Sequence, residues 1–306
     1  MKRTEIIYIF LIVIVLVLVS GQQGCQFPGQ QQAARKTGID YELIAGIDYL
    51  STGKILEQDE TFYVGVKIYN YDEKPRTGQI CVRDNIDDSF GGILSEGYGE
   101  CKFFNVKAAD VVKKESFGLF GKQIQEEVDP GKTEVYFPKY AEYSYYGLPS
   151  LVKPYSGKLF VSLQYRETTQ GTATIAVPGP EQPTISQDPS QIGISVGKSV
   201  HTRQDAYKVD LEISLKKKKK ARIYSYDFSQ ENVTYFRAEM VPHALKCKTT
   251  AGEPITGIID FENERLIKCS TFIYTTGQQS YPLVVTLDYG VALEKDYPFG
   301  IKTESK

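Results

Sequence analysis

Leu159-Phe160-Val161-Ser162-Leu163-Gln164-Tyr165 puts Leu159, Val161, Leu163 and Tyr165 on one side of an extended chain and Phe160, Ser162 and Gln164 on the other. A period of two over seven residues is the mark of a strand with one buried face. The pattern returns in Leu283-Val284-Val285-Thr286-Leu287-Asp288-Tyr289. Counted from each Tyr, a further apolar pair falls at the same offset, Ile175 and Val177 in the first case, Phe299 and Ile301 in the second. One plan used twice, with a hairpin closing each sandwich, accounts for both.

Working outward, other strands of the same period lie between turn residues. Phe62-Tyr63-Val64-Gly65-Val66-Lys67-Ile68-Tyr69 runs into Asn70-Tyr71-Asp72, and Gln79-Ile80-Cys81-Val82 follows. A Pro-rich break from Pro178 to Ser190 separates the two blocks. The expected layout is a first sandwich over 38–178 with an insertion at 103–151, a linker over 179–190, and a second sandwich over 191–306. The insertion holds a short helical candidate at Ala108–Val112.

The first residues are of another kind. Lys2 and Arg3 precede an unbroken apolar run from Ile6 to Val19, the charge pattern of a targeting segment. The run falls short of the roughly 20 residues of a relaxed spanning helix, so a cleaved signal peptide and a retained anchor, over residues 1–21, both satisfy it. Either one delivers the rest of the chain outside, to the extracytoplasmic face of the membrane or into the medium. Residues 22–37, rich in Gln, Gly and Ala, read as a flexible tether. Cys25 invites lipidation, but Gln22 and Gln23 stand where a lipoprotein signal carries apolar and small residues.

In an exported chain, cysteines pair. Cys81 and Cys101 fall in the first block and Cys247 and Cys269 in the second, so pairing within blocks is the economical choice among three connectivities. Each bridge closes a loop of about 20 residues, a contribution of roughly 3 kcal/mol.

The strand pattern, with the polar Asn70-Tyr71-Asp72 turn after the Val64, Val66, Ile68 strand, resembles immunoglobulin-like modules repeated in prokaryotic surface proteins. The resemblance implies an all-β fold of two tandem immunoglobulin-like sandwiches, here following an N-terminal apolar helix, and roles in adhesion, assembly or scaffolding. It carries over no functional residue, and the Trp that antibody-type domains pack on their disulfide is absent from this chain.

Composition narrows the function further. The 306 residues carry 36 Lys and Arg against 38 Asp and Glu, so no global field draws the chain to nucleic acid. Two His leave little for imidazole catalysis, and the reading is of a protein that is not an enzyme and needs no cofactor or metal. Gly131-Lys132-Thr133 ends like a phosphate loop, but Glu126 occupies the place of its first Gly and the following residues read as strand. Asp84, Asp87 and Asp88 beside Gly91 and Gly92 read as a solvated acidic turn sooner than a calcium loop. Lys216 to Lys220 reads as a hairpin tip.

The insertion is where a recognition face is expected, on Phe117, Phe120, Tyr140, Tyr143, Tyr145 and Tyr146, because aromatic side chains give large contact area at small entropic cost. Asn232-Val233-Thr234 is a glycosylation acceptor in an exported chain. The partner implied is a surface protein or glycan, with the membrane held through the N-terminal segment. Self-association into an appendage or layer is the alternative, and an exported carbohydrate-active enzyme the third reading.

Overall fold

In the computed structural model the described residues are 37–303, apart from 47–48, 94–98, 119–120, 139–141, 150–152, 180, 219–220 and 263. The targeting segment, its expected helix, Cys25 and the tether up to Lys36 lie outside them. No described helix is long and apolar enough to cross a membrane. The all-β expectation holds: among the described residues the sole helical element is a 3-10 turn at Asp88–Phe90.

The first block supplies β1 (Ile39–Leu43), β2 (Ile55–Glu57), β3 (Val64–Asn70), β4 (Arg76–Asp84), β5 (Glu100–Val106), β6 (Asp110–Gly118), β7 (Gly121–Asp129), β8 (Gly131–Phe137) and β9 (Tyr155–Val177). From the linker onward come β10 (Ser186–Gln187), β11 (Ile192–Arg203), β12 (Ala206–Lys217), β13 (Arg222–Tyr224), β14 (Val233–Met240), β15 (Lys246–Thr249), β16 (Ile258–Asp260), β17 (Glu264–Ile273) and β18 (Gln279–Lys302).

Two of these decide the architecture. β9 has 23 residues and β18 has 24, roughly 75 Å each in extended chain. They pair antiparallel from Tyr155↔Ile301 to Val177↔Gln279 without a break. The predicted closing hairpins are therefore absent: Ile175 and Val177 continue the strand of Leu159–Tyr165, and Phe299 and Ile301 that of Leu283–Tyr289. The two matching segments lie side by side in the register. Tyr165 faces Val291 and Tyr289 faces Glu167, symmetrically about the pair Arg166↔Gly290, as a local two-fold requires.

The long pair is the middle of a central sheet ordered β16-β14-β18-β9-β4-β5. At one end it is faced by β1-β3-β8, where the Tyr41 hydroxyl donates to the carbonyls of Val161 (2.7 Å) and Leu293 (3.1 Å). At the other it is faced by β11-β12-β17-β15, where the Lys198 ammonium donates to Ala176 O. Each sequence block thus supplies most of one sandwich, while both sandwiches use both long strands. Residues 37–306 form one compact unit with a single hydrophobic core running from Ile39 to Ile301.

Both disulfides form as expected, Cys81–Cys101 and Cys247–Cys269. They are not equivalent under the two-fold, because the first joins β4 to β5 in the central sheet and the second joins β15 to β17 in a facing sheet. The expected helix at Ala108–Val112 is instead the start of β6, whose Val111 and Val112 pair with Val128 and Glu127 of β7. β-branched residues favour a pleated ribbon over a helical turn once a partner strand is present. The insertion is also smaller than expected, since β5 and β8 belong to the sandwich sheets and β6 with β7 alone forms a separate two-stranded ribbon.

Candidate functional site

The aromatic set divides. Tyr145 is 1% exposed, stacked between Phe62 (5.4 Å) and Phe299 (5.8 Å), and its hydroxyl donates to Asp84 Oδ2 at 2.5 Å. Tyr143 is half-buried on Phe62 and donates to Glu100 Oε2 at 2.5 Å. Tyr145 is packed into the core and offers no contact face, a correction to the sequence reading, while Tyr143 keeps part of its surface exposed. Burial pushes both phenols well above their ordinary value. Tyr146 is exposed at 52%. Phe117 lies on β6 with its side chain outside the described residues, as are Phe120 and Tyr140.

Asp84 is buried at 1% exposure, so it does not belong to the solvated acidic turn expected from the sequence. Its Oδ1 accepts from Ile86 N (2.8 Å) and its Oδ2 from Ile93 N (3.1 Å) as well as Tyr145, and burial still pushes it up to about 6. Asp87 caps the 3-10 turn through Ser89 N. No His, Cys, Asp or Glu group suited to a metal occurs among the described residues. Gly131-Lys132-Thr133 opens β8, and Lys132 pairs with Asp129 at 3.1 Å. Lys216 and Lys217 end β12 in a facing sheet, and β13, the next strand, pairs with β18 of the central sheet, so β12 and β13 are not the two arms of a hairpin. Asn232 is partly exposed, but Thr234 of the same triplet is fully buried, with its hydroxyl donating to Asp288 O at 3.2 Å.

A polar cluster that the sequence did not single out lies at the centre of the long ladder. Glu167, 4% exposed, sits between Tyr165 and Thr169 on the inner face of β9. Arg76 donates to Asp72 Oδ2 through Nε (3.1 Å) and Nη2 (2.8 Å), and its Nη2 stands 3.7 Å from Glu167 Oε1. The Thr169 and Tyr289 hydroxyls share a hydrogen bond of 2.8 Å, while the buried Glu167 Oε2 atom itself accepts no hydrogen bond among the described residues. Burial pushes Glu167 up to about 7, against the pull of the Arg76 charge and the Tyr289 hydroxyl.

A second site opens at the far end of the second sandwich. Past Val177 and Gln279 the central sheet stops, while β11 and β12 run on, leaving a groove of about 600 Å³ lined by Pro178, Gly179, Glu181, Lys198, Val200, Thr202, Tyr207 and Gln278. Ile192, Ile194 and Val196 turn their side chains to the core, and Lys198 continues that face. A lysine breaking an apolar alternation was the available signal in the sequence. Gln182 fixes the same residue by accepting from Lys198 N (2.9 Å) and donating to Lys198 O (3.0 Å).

Fold and cysteines together define a disulfide-bonded all-β protein. No family model matches the chain, and no curated protein matches it. Among solved structures, a serine-rich repeat adhesion glycoprotein from Streptococcus agalactiae is similar at 8% identity over 89% of this chain and 97% of that one, with a TM-score of 0.17. At that score the likeness supports no conclusion about this chain.

Proposed function

We propose that this chain is an exported, membrane-tethered surface protein whose sandwiches are a scaffold for contacts with another surface protein or a glycan. The observation that carries this is the β6–β7 ribbon, which among the described residues pairs with no strand of either sandwich and forms a sheet of its own. A ribbon of nine residue pairs that joins neither sandwich sheet is only marginally stable by itself, and contact with a partner would order it. Phe117 and Phe120 belong to its distal part in sequence, and Tyr140 and the exposed Tyr146 follow it. The two disulfides support an oxidising compartment, and the apolar segment at 1–21 supplies the tether. We read each sandwich as an immunoglobulin-like module built on shared strands.

The test is the full chain with residues 111–128 replaced by a short Gly-Ser turn, fluorescently labelled and applied to intact cells of the organism that makes it. Loss of cell binding with an unchanged melting temperature is expected; undiminished binding would overturn the assignment to the ribbon. A second reading, a subunit of a surface appendage, is favoured by β5, an edge strand of the central sheet whose Phe103 is 87% exposed. Concentration-dependent sedimentation of the full chain, abolished by Phe103→Lys, would support it.

A further inference from the structure

Lys198 is 8% exposed on the core-facing side of β11, where its neighbours are hydrocarbon. Its ammonium donates to Ala176 O at 3.0 Å and Gly179 O at 2.9 Å. Two neutral carbonyls satisfy two of its three N–H groups and none of its charge. No carboxylate pairs with it among the described residues, so its charge is met within the protein only by carbonyl dipoles and is left to face the groove that it lines. The groove beside it is held open in advance, because the ammonium bonds and the Gln182 clamp tie the chain around residues 176–182 to β11.

The rest of the groove says what kind of anion fits. Val200, Pro178 and the Tyr207 ring offer apolar surface, while Thr202 and Gln278 at the exposed rim can each donate and accept. Glu181, also exposed at the rim, would repel a small bare anion but accepts hydrogen bonds from hydroxyl groups. A ligand satisfying all of these carries one carboxylate, several hydroxyls and an apolar ring face. The volume, about 600 Å³, lies within the range of small-ligand clefts.

We propose that this groove binds a carboxylate-bearing saccharide of the uronic acid class, its carboxylate on Lys198, its hydroxyls on Glu181, Thr202 and Gln278, and its ring face on Tyr207 and Val200. The inference deepens the contact reading by naming a ligand class, and rests on it for the presence of glycans at the surface. The groove shares no residue with the β6–β7 ribbon, so the two fail separately.

The experiment is calorimetric titration of the full chain in mild detergent with di- and trisaccharides of glucuronic and galacturonic acid, their neutral hexose counterparts, and a short peptide with a free C-terminal carboxylate. Binding of the acidic saccharides at least about tenfold tighter than the neutral ones is expected, as for a charge-assisted contact. Lys198→Met, which keeps an unbranched chain in the core-facing place, should abolish that preference. The rim variants Thr202→Val and Gln278→Ala, at exposed positions where folding is not at stake, should each weaken binding several-fold. Absence of acidic saccharide binding, equal binding of the neutral sugars, tighter binding of the peptide, or a preference that survives Lys198→Met would overturn the proposal.

Discussion

Glu167 and Asp84 are buried acids held above their ordinary values of 4.5 and 3.8, at about 7 and about 6, in both cases first by burial. Between the ordinary and the raised value the folded chain keeps a proton that the unfolded chain releases. Stability from these groups is therefore greatest below pH 4 to 4.5 and is lost as the pH rises to about 7. For Glu167 the loss is on the order of 3 kcal/mol. Melting temperatures measured from pH 5 to pH 8 should fall, and Glu167→Gln should flatten that slope. Arg76→Met should cost about 3 kcal/mol at pH 8, since it strips the buried Asp72 and Glu167 of their counter-charge. At pH 5, where Glu167 is protonated, the loss measured by chemical unfolding should be smaller. None of this was legible beforehand. Tyr165 and Tyr289 served the sequence only as counting marks, and nothing in their neighbourhoods tells that Thr169 and Tyr289 meet across 120 residues.

At the scale of elements, period two identified β3, β4, β9 and β18, because each keeps its larger apolar side chains on one face, although Gly65, Cys81, Gly290 and Ala292 are buried on the other. It could not give their lengths. The alternation in β9 continues through Glu167 and Thr169 with polar residues on the buried side, so the strand looked finished at Tyr165. The ribbon was missed for the opposite reason. Its strands carry Lys and Glu where a buried face would carry hydrocarbon, and their pairing is visible only in three dimensions. Close strand packing also makes Gly78 indispensable: a Cβ there would run into the Gln164 carbonyl oxygen and the Phe104 ring. Gly78→Ala should cost about 1–3 kcal/mol, the range for overpacking, measured by denaturant unfolding. Replacing Cys81 and Cys101 together by Ser should cost about 3 kcal/mol on the loop-entropy account.

For the whole folded unit, the consequence of the shared ladder is cooperativity. Two sandwiches joined by a Pro-rich linker would unfold in two steps, each with its own midpoint. Here the inner face of β18 between Leu283 and Tyr289 belongs to one sandwich and that between Val291 and Ile301 to the other, and both halves pair with β9. Separating the sandwiches would break a ladder 23 residues long and uncover the core on both sides of Arg166↔Gly290. Calorimetry should therefore record a single transition whose van't Hoff enthalpy matches the calorimetric one. By the same argument residues 191–306 alone should lack stable structure. Their longest strand would lose its partner along its whole length, and a flat unpaired edge of that extent favours aggregation over folding. Co-expression with residues 37–178 should restore the fold, because β9 carries the complementary edge and the register is fixed by buried residues on one face. Two resolved transitions, or a well-dispersed spectrum from 191–306 by itself, would show instead that the long strands join domains already able to stand alone.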